Sequence, residues 1–252
     1  MIFVLTEERY ARIISFLDRK GSATVVELMK EIGASESTVR RDLEILDKNG
    51  QLIKVRGGAI TKNGSYTTRD DEVVLRQQRN VDEKEAIAKY AASLIEDKDF
   101  VYIDAGTTTE KMLKYITNHE AIYVTNAVSH AMKLAAIGCT VFILGGEFKY
   151  ATEAIVGEEA IASLSKYNFT KGFFGTNGIT VKNGFTTPEV KEAMIKREAM
   201  HSCKRCYVLA DASKFSEISA VSFGSIDDAL IITNKVARCI SDVYKNIVEV
   251  LE

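Results

Sequence analysis

The sequence predicts an α/β protein in two parts: an N-terminal winged helix-turn-helix domain and a larger Rossmann-like α/β domain with a largely parallel sheet. Three observations carry this. Between residues 22 and 59, two short helical patterns flank Gly33 and are followed by a basic, glycine-containing hairpin pattern. Beyond residue 80, seven short apolar runs alternate with stretches of helical periodicity. With 252 residues, 46% of them hydrophobic, the chain has room for a module of about 60 residues and one larger core.

Taken in order, Thr6 caps a first helix that turns Ile13, Ile14, Phe16 and Leu17 inward, sets Arg9 beside Glu8 as a charge pair, and ends before Gly21. This helix supports the next two. In them Thr24, Val25, Val26, Leu28, Met29 and Ile32 fall at roughly helical spacing, Gly33 breaks the run, and a second helix extends from Ser35 or Ser37 to about Lys48. Val39, Leu43 and Leu46 share one side of it, which leaves Ser35, Glu36, Thr38, Arg40 and Arg41 facing outward. After Gly50, apolar residues alternate with Lys54 and Arg56, and Gly57-Gly58 permits a sharp reversal. Such a helix pair with a basic hairpin is the pattern of a winged reader of duplex DNA. A helix fits the major groove and offers side chains to base edges, while lysines and arginines beside it neutralise phosphates. The expected DNA contacts are Ser35, Ser37, Thr38, Arg40 and Arg41 on the helix, with Lys54 and Arg56 on the wing. Net charge says little, since residues 1–62 hold 11 Lys and Arg against 9 Asp and Glu, and the remainder 22 against 26. The placement of the four cations near one surface says more.

From residue 61 to 71 the composition turns polar, with Asn63-Gly64 as a turn signal. This divides the chain into a winged helix-turn-helix at 1–60, a linker at 61–80 and an α/β domain at 81–252. Residues 73–84 read as a connecting strand and helix with Arg76, Gln77, Gln78 and Arg79 facing solvent. Strands are expected at 100–103, 121–124, 140–144, 172–174, 205–209, 229–232 and 247–250, with helices near 84–96, 108–117, 128–137, 158–167 and 190–202. Apolar strands alternating with helices imply a parallel sheet covered on both faces, which binds small ligands at the carboxyl ends of its strands.

Those strand ends are polar. The first runs into Asp104-Ala105-Gly106-Thr107-Thr108-Thr109-Glu110, a loop entering a helix whose amides and hydroxyls suit an anion, above all a phosphate. The next ends in Thr125-Asn126, the third in Gly145-Gly146-Glu147 and the fourth in Gly175-Thr176-Asn177-Gly178. Downstream, Lys214 is placed to neutralise a phosphate and Asp211 to accept from sugar hydroxyls. No G-x-G-x-x-G follows a strand, which argues against a nicotinamide dinucleotide site.

No run spans a membrane, and the first residues lack a basic region plus a long apolar core, so a cytoplasmic protein is expected, with no membrane partner. Cys139, Cys203, Cys206 and Cys239 form no dense extracellular pattern. The single C-x-x-C at 203–206 lacks the second ligand pair of a structural zinc site, and His119, His130 and His201 are widely separated, so neither metal nor cofactor is expected.

Residues 21–28, 35–43 and 55–59 together resemble the N-terminal domain of the DeoR family of bacterial sugar-metabolism regulators. The resemblance continues through Asp104-Ala105-Gly106-Thr107-Thr108-Thr109, Thr125-Asn126, Leu144-Gly145-Gly146, Val156-Gly157, Gly175-Thr176-Asn177-Gly178, Glu192-Ala193 and residues 209–215, which look like the family's sensor domain. That domain is itself similar to ribose-5-phosphate isomerase. The resemblance implies a phosphorylated sugar as effector, a homodimer or homotetramer, and an operator near genes for uptake or breakdown of that sugar. Carried over, the phosphate would lie by Thr107, Thr108 and Thr109, with Asn126, Gly146, Asn177, Glu192 and Lys214 lining the rest. Where the isomerase carries its acidic catalytic segment, this chain has Gly175-Thr176-Asn177-Gly178 and no carboxylate. An amide cannot shuttle a proton as a general base does, so the expectation is a repressor that binds the sugar phosphate without turnover. The alternatives are an active isomerase with an added domain and an activator of the same architecture.

Overall fold

The computed structural model describes residues 6–61, 65–67, 73–236, 238–241 and 243–250, so the Asn63-Gly64 turn lies outside the described residues. Three helices, α1 (Thr6–Lys20), α2 (Val25–Ile32) and α3 (Glu36–Lys48), close around Ile13, Leu17, Leu28, Val39, Leu43 and Leu46. Beside them β1 (Ser22–Thr24), β2 (Leu52–Val55) and β3 (Gly58–Thr61) form an antiparallel sheet in the order β1-β3-β2. The first of these strands, three residues long, is too short to show an alternating pattern. Arg9 does not pair with Glu8. It reaches Asp42 on α3, with Nη2 donating to Oδ1 at 2.9 Å, and Arg12 takes Glu8 one turn along α1 at 2.7 Å. Asp42 is buried on the inner side of α3, and a buried carboxylate needs a counter-charge far more than an exposed one does.

The chain enters the larger domain through β4 (Ser65–Thr67) and α4 (Val73–Gln77), and α5 (Val81–Ser93) follows. Strands and helices then alternate: β5 (Phe100–Ile103), α6 (Thr107–Met112), β6 (Ile122–Thr125), α7 (Val128–Ala136), β7 (Thr140–Ile143), β8 (Glu147–Lys149), β9 (Ala154–Val156), α8 (Glu158–Leu164), β10 (Lys171–Gly175), β11 (Gly178–Thr180), β12 (Gly184–Thr187), α9 (Val190–His201), β13 (Cys206–Leu209), β14 (Glu217–Ser219), β15 (Val221–Gly224), β16 (Leu230–Thr233) and β17 (Ile247–Glu249). Seven of these make one sheet in the order β17-β16-β13-β10-β5-β6-β7, every neighbouring pair parallel. All seven strands expected from the sequence are here.

Successive residues on these strands serve opposite cores, as the pleat requires. Tyr102, Phe174, Val208 and Ile231 lie in the layer with α8 and α9, whereas Val101, Ile103, Phe173, Leu209 and Ile232 lie in the layer with α5 and α6. Phe173 stacks on Tyr207 across adjacent strands with ring centroids 5.1 Å apart, a pair worth ~1 kcal/mol beyond its buried area. Cover is incomplete at one edge, where β7 leaves Phe142 and Ile143 about half exposed. Short antiparallel pairs, β8 with β9 and β11 with β12 and β15, are added around the sheet.

Two segments expected within a linker are parts of the larger domain's structure. β4 pairs in parallel with β14, Ser65 opposite Glu217 and Thr67 opposite Ser219. Residues 73–80 lie against the sheet's carboxyl edge, where Arg76 is half-buried rather than solvent-facing. The helical module rests on the same region: a Cβ placed at Gly21 would stand 2.8 Å from that of Ser216, and Ile60 packs within the larger domain's core.

Candidate functional site

The candidate DNA-reading surface is built by helix ends. Thr24 and Glu27 form a reciprocal cap at the start of α2: the Thr24 amide donates to the Glu27 carboxylate at 2.8 Å, and the Glu27 amide donates to the Thr24 hydroxyl at 3.2 Å. Gly33 takes the left-handed conformation that ends α2, φ 67°, and its amide donates to the Met29 carbonyl. Ser35 caps α3, and its hydroxyl lies within hydrogen-bonding distance of those of Ser37 and Thr38. With Val39, Leu43 and Leu46 buried, Ser37, Arg40 and Arg41 are exposed and Thr38 is half-exposed. Arg40 is held by Glu36 one turn back, Nε to Oε1 at 2.8 Å, whereas Arg41 has no ion-pair partner among the described residues.

On the wing, Gly58 is required because a Cβ there would overlap the Ala23 carbonyl of β1, and the Gly57 carbonyl accepts from the Val25 amide. That close packing sets the β2–β3 hairpin against the start of α2. It holds Lys54 exposed, 3.9 Å from Glu44, and Arg56 exposed at the turn with no partner among the described residues.

The second site lies where the strand order reverses. From β5 the chain proceeds outward through β6 and β7, and from β10 it proceeds the other way through β13, β16 and β17. The crevice between β5 and β10 at the carboxyl edge is therefore the topological switch point of the sheet. A cavity of about 240 Å³ opens there, with Gly106, Thr107 and Thr108 on one side and Gly175, Thr176 and Asn177 on the other. Glu192, Asp211 and Lys214 also line it.

Beneath the cavity Asp104 and Lys196 form a buried ion pair. The Gly175 amide donates to Asp104 at 3.1 Å, and Lys196 donates to the Gly175 carbonyl at 3.1 Å. Burial pushes the Asp104 carboxyl above its ordinary range, against the pull of Lys196 and of that amide. Glu192 is also disfavoured by burial. The hydrogen bond from Lys149 at 2.9 Å, the charge of Lys196 and the hydroxyl of Thr152 at 2.7 Å outweigh it, so the carboxylate is held below its usual range. Asp211 accepts from Asn80 Nδ2 at 2.8 Å and from the Ser213 amide at 3.0 Å.

Six of the expected ligand residues stand behind the cavity rather than on it, Asp104 in its ion pair with Lys196 and five more. Thr109 is fully buried and donates to the carbonyls of Asp104 and Gly106, which holds the loop in shape. Thr125 accepts from the Ala127 amide, and Asn126 accepts from the Ala105 amide at 2.9 Å, bracing the same loop. Gly145 and Gly146 follow β7, where a Cβ on Gly146 would come 2.7 Å from the Val156 carbonyl. Conversely, Arg76, Arg79, Asn80, Lys84, Lys196 and Glu217 line the cavity without having been read from the sequence. For Lys196 a signal existed: it follows Glu192 by four residues and so shares its face of α9.

Burial lowers Lys84 to about 8, helped by Lys214, Arg76 and Lys111 and opposed by Asp211. No group of His, Cys, Asp and Glu suited to a metal occurs among the described residues, and no helix among them is long and apolar enough to cross a membrane. The arrangement holds hydroxyls, amides, fixed carboxylates and several cations around a space the size of a small polar anion.

Comparison with known proteins gives the family. Residues 9–64 match the family described as DeoR-like helix-turn-helix domain, and residues 79–235 match the DeoR C terminal sensor domain. Over 252 residues, 99% of this chain and 100% of the relative, it is 39% identical to the "Uncharacterized HTH-type transcriptional regulator FruR" of Bacillus subtilis. It is 33% identical over 220 residues, 86% of each chain, to the "Lactose phosphotransferase system repressor" of Staphylococcus epidermidis. Among solved structures, ribose 5-phosphate isomerase A of Methanocaldococcus jannaschii matches at TM-score 0.41 and 14% identity, over 54% of this chain and 55% of that one. With a helix-turn-helix module and a sensor domain matched along nearly the whole sequence, the chain belongs to the DeoR family of DNA-binding transcriptional regulators and is a regulator rather than an enzyme.

Proposed function

We propose that this protein represses an operon for uptake or breakdown of a sugar, and that a phosphorylated form of that sugar, held in the cavity at the sheet's carboxyl edge, controls its affinity for the operator. The observation that carries this is the cavity itself, in which cations stand among hydroxyls and ionised carboxylates within a chain that also bears a reading helix. A phosphate needs cations and N–H or O–H donors, which Lys214, Lys84, Thr107 and Thr108 supply. Sugar hydroxyls need acceptors, which Asp211 and Glu192 supply while Asn177 both donates and accepts. The name of the Staphylococcus epidermidis relative supports the repressor reading. Two or more subunits present their α3 helices to operator half-sites, and the effector acts by favouring one arrangement of them.

The test is fluorescence anisotropy on DNA from the promoter region beside the protein's own gene, at fixed salt, with a panel of sugar phosphates and the parent sugars. One phosphate is expected to shift operator affinity about tenfold or more while its parent sugar does not, a coupling in the usual range for allosteric regulators. A specific complex that every phosphate leaves unchanged would overturn the effector reading.

Lys84 adds a pH signature. Its ammonium attracts an anion in the cavity, and it loses that charge as pH rises through about 8. Effector affinity is therefore expected to fall between about pH 7 and 9, with protons taken up on binding because the bound anion favours the charged lysine. Calorimetry in buffers of different ionisation enthalpy reads this directly. Equal affinity and no proton uptake across that window would remove Lys84 from the site.

A further inference from the structure

The charge of the cavity is divided between two parts of the chain. The α/β domain from α5 onward contributes Lys84, Lys196 and Lys214, and against them Glu192, Asp211 and Glu217. Within these walls Lys196 is paired with Asp104, and Glu192 with Lys149 at 2.9 Å. Arg76 and Arg79, both in the segment that joins the DNA-reading module to the α/β domain, add two guanidiniums to the lining. A phosphate ester carries about −1.5 to −2 charges at neutral pH, and a guanidinium offers it a planar fork of N–H donors.

That segment is fastened to the rim of the cavity. The Lys84 ammonium donates to the Arg76 carbonyl, Gln77 donates to Glu110 at 2.9 Å, and Asn80, in a left-handed turn at φ 51°, donates to Asp211 at 2.8 Å. Upstream, β4 is paired with β14, and Glu217 of β14 lines the cavity while Ser216 just before it packs against Gly21 of the reading module. The residues around the cavity and those that touch the module are thus neighbours in the chain.

We infer that Arg76 and Arg79 are effector-binding residues and that the connecting segment is one wall of the effector site, held in place when the anion is bound and loosened when it leaves. The inference rests on the cavity being the sugar-phosphate site and adds how occupancy reaches the DNA-reading module. A guanidinium paired with phosphate through two parallel hydrogen bonds fixes direction as well as distance, so ligand binding restrains the backbone that carries it. The arrangement that binding favours then shifts in population by the difference in affinity between held and loosened states.

The experiment uses the full-length chain, with fructose 1-phosphate, fructose 6-phosphate, galactose 6-phosphate and inorganic phosphate as probes. Affinity is measured by calorimetry, and backbone exchange at residues 73–80 by hydrogen–deuterium exchange. Saturation with a binding probe is expected to slow exchange at 73–80. Arg76→Gln and Arg79→Gln are each expected to weaken binding about tenfold or more, with Arg79→Lys recovering part of the loss. Operator affinity without effector and the thermal midpoint report whether the variants are folded. Binding in the double Gln variant equal to that of the parent, or unchanged exchange at 73–80 under saturation, would overturn the inference. Should no sugar phosphate bind the parent chain, the sugar-phosphate reading falls by itself. Inorganic phosphate then decides the clamp: protection of 73–80 that disappears in the Gln variants sustains it, and no binding of phosphate ends both.

Discussion

Lys196→Met is expected to destabilise the α/β domain by about 3–5 kcal/mol, because it leaves the Asp104 carboxyl buried without its counter-charge. Asp104 is about 1% exposed, and its remaining charged-form partner is the Gly175 amide. The carboxyl, already pushed up by burial, is expected to hold a proton at neutral pH in the variant. Destabilisation is therefore expected to be larger at high pH, where keeping the group neutral costs more, and smaller at low pH, where the unfolded chain is protonated too. Urea unfolding followed at several pH values checks this. The double variant Asp104→Asn with Lys196→Met is expected to recover much of the loss, since removing both charges leaves no isolated ion. A single variant as stable as the parent would mean that Asp104 and Lys196 are not coupled as the structure shows.

Operator binding gives the second large effect. Arg41→Ala is expected to lower operator affinity by roughly 5- to 150-fold, corresponding to about 1–3 kcal/mol for one base-edge contact, while effector affinity stays unchanged. Arg41 is exposed on α3 and has no ion-pair partner among the described residues, so its loss is expected to leave the fold intact. Arg56→Ala on the wing is expected to weaken all DNA by a similar factor and to reduce the salt slope by about 1, the mark of a phosphate contact. Titrations at three salt concentrations separate the two. Arg40 is expected to matter less, because Glu36 already holds its guanidinium. Unchanged affinity for both variants at matched salt would place the reading surface elsewhere.

The seven central strands were legible because a parallel sheet covered on both faces needs near-continuous apolar runs, and runs such as residues 100–103 and 206–209 are that. The helix pair was legible through its punctuation, with Thr24 and Ser35 as caps and Gly33 as the stop. The short antiparallel strands were not. β8, β9 and β11 span three residues each, fewer than two periods of alternation, and their pairing depends on contacts made elsewhere. The polar loops after β5, β10 and β13 announced a site at the sheet edge, and Gly106, Thr107, Thr108, Asn177, Glu192, Asp211 and Lys214 do line one cavity. Arg76 and Lys84 gave no such signal, since a charged residue on a helix reads as solvated surface until something covers it.

What the sequence by itself determined is local and periodic: the caps and turn of the reading helix, the basic wing, the strand and helix rhythm, and the polar composition of the loops that end the strands. Each follows from residues within a few positions of one another. Only the tertiary structure decided which of those loops share a cavity, because that depends on where the strand order reverses between β5 and β10. It also decided which charges are spent on one another. Asp104 and Lys196 are 92 residues apart in the chain, and only their burial against each other turns an ordinary lysine into a fixed counter-ion. Asn80 meets Asp211 across 131 residues, which makes the connecting segment part of the site. Ion pairing depends on distance and burial in space, and neither is a property of spacing along the chain.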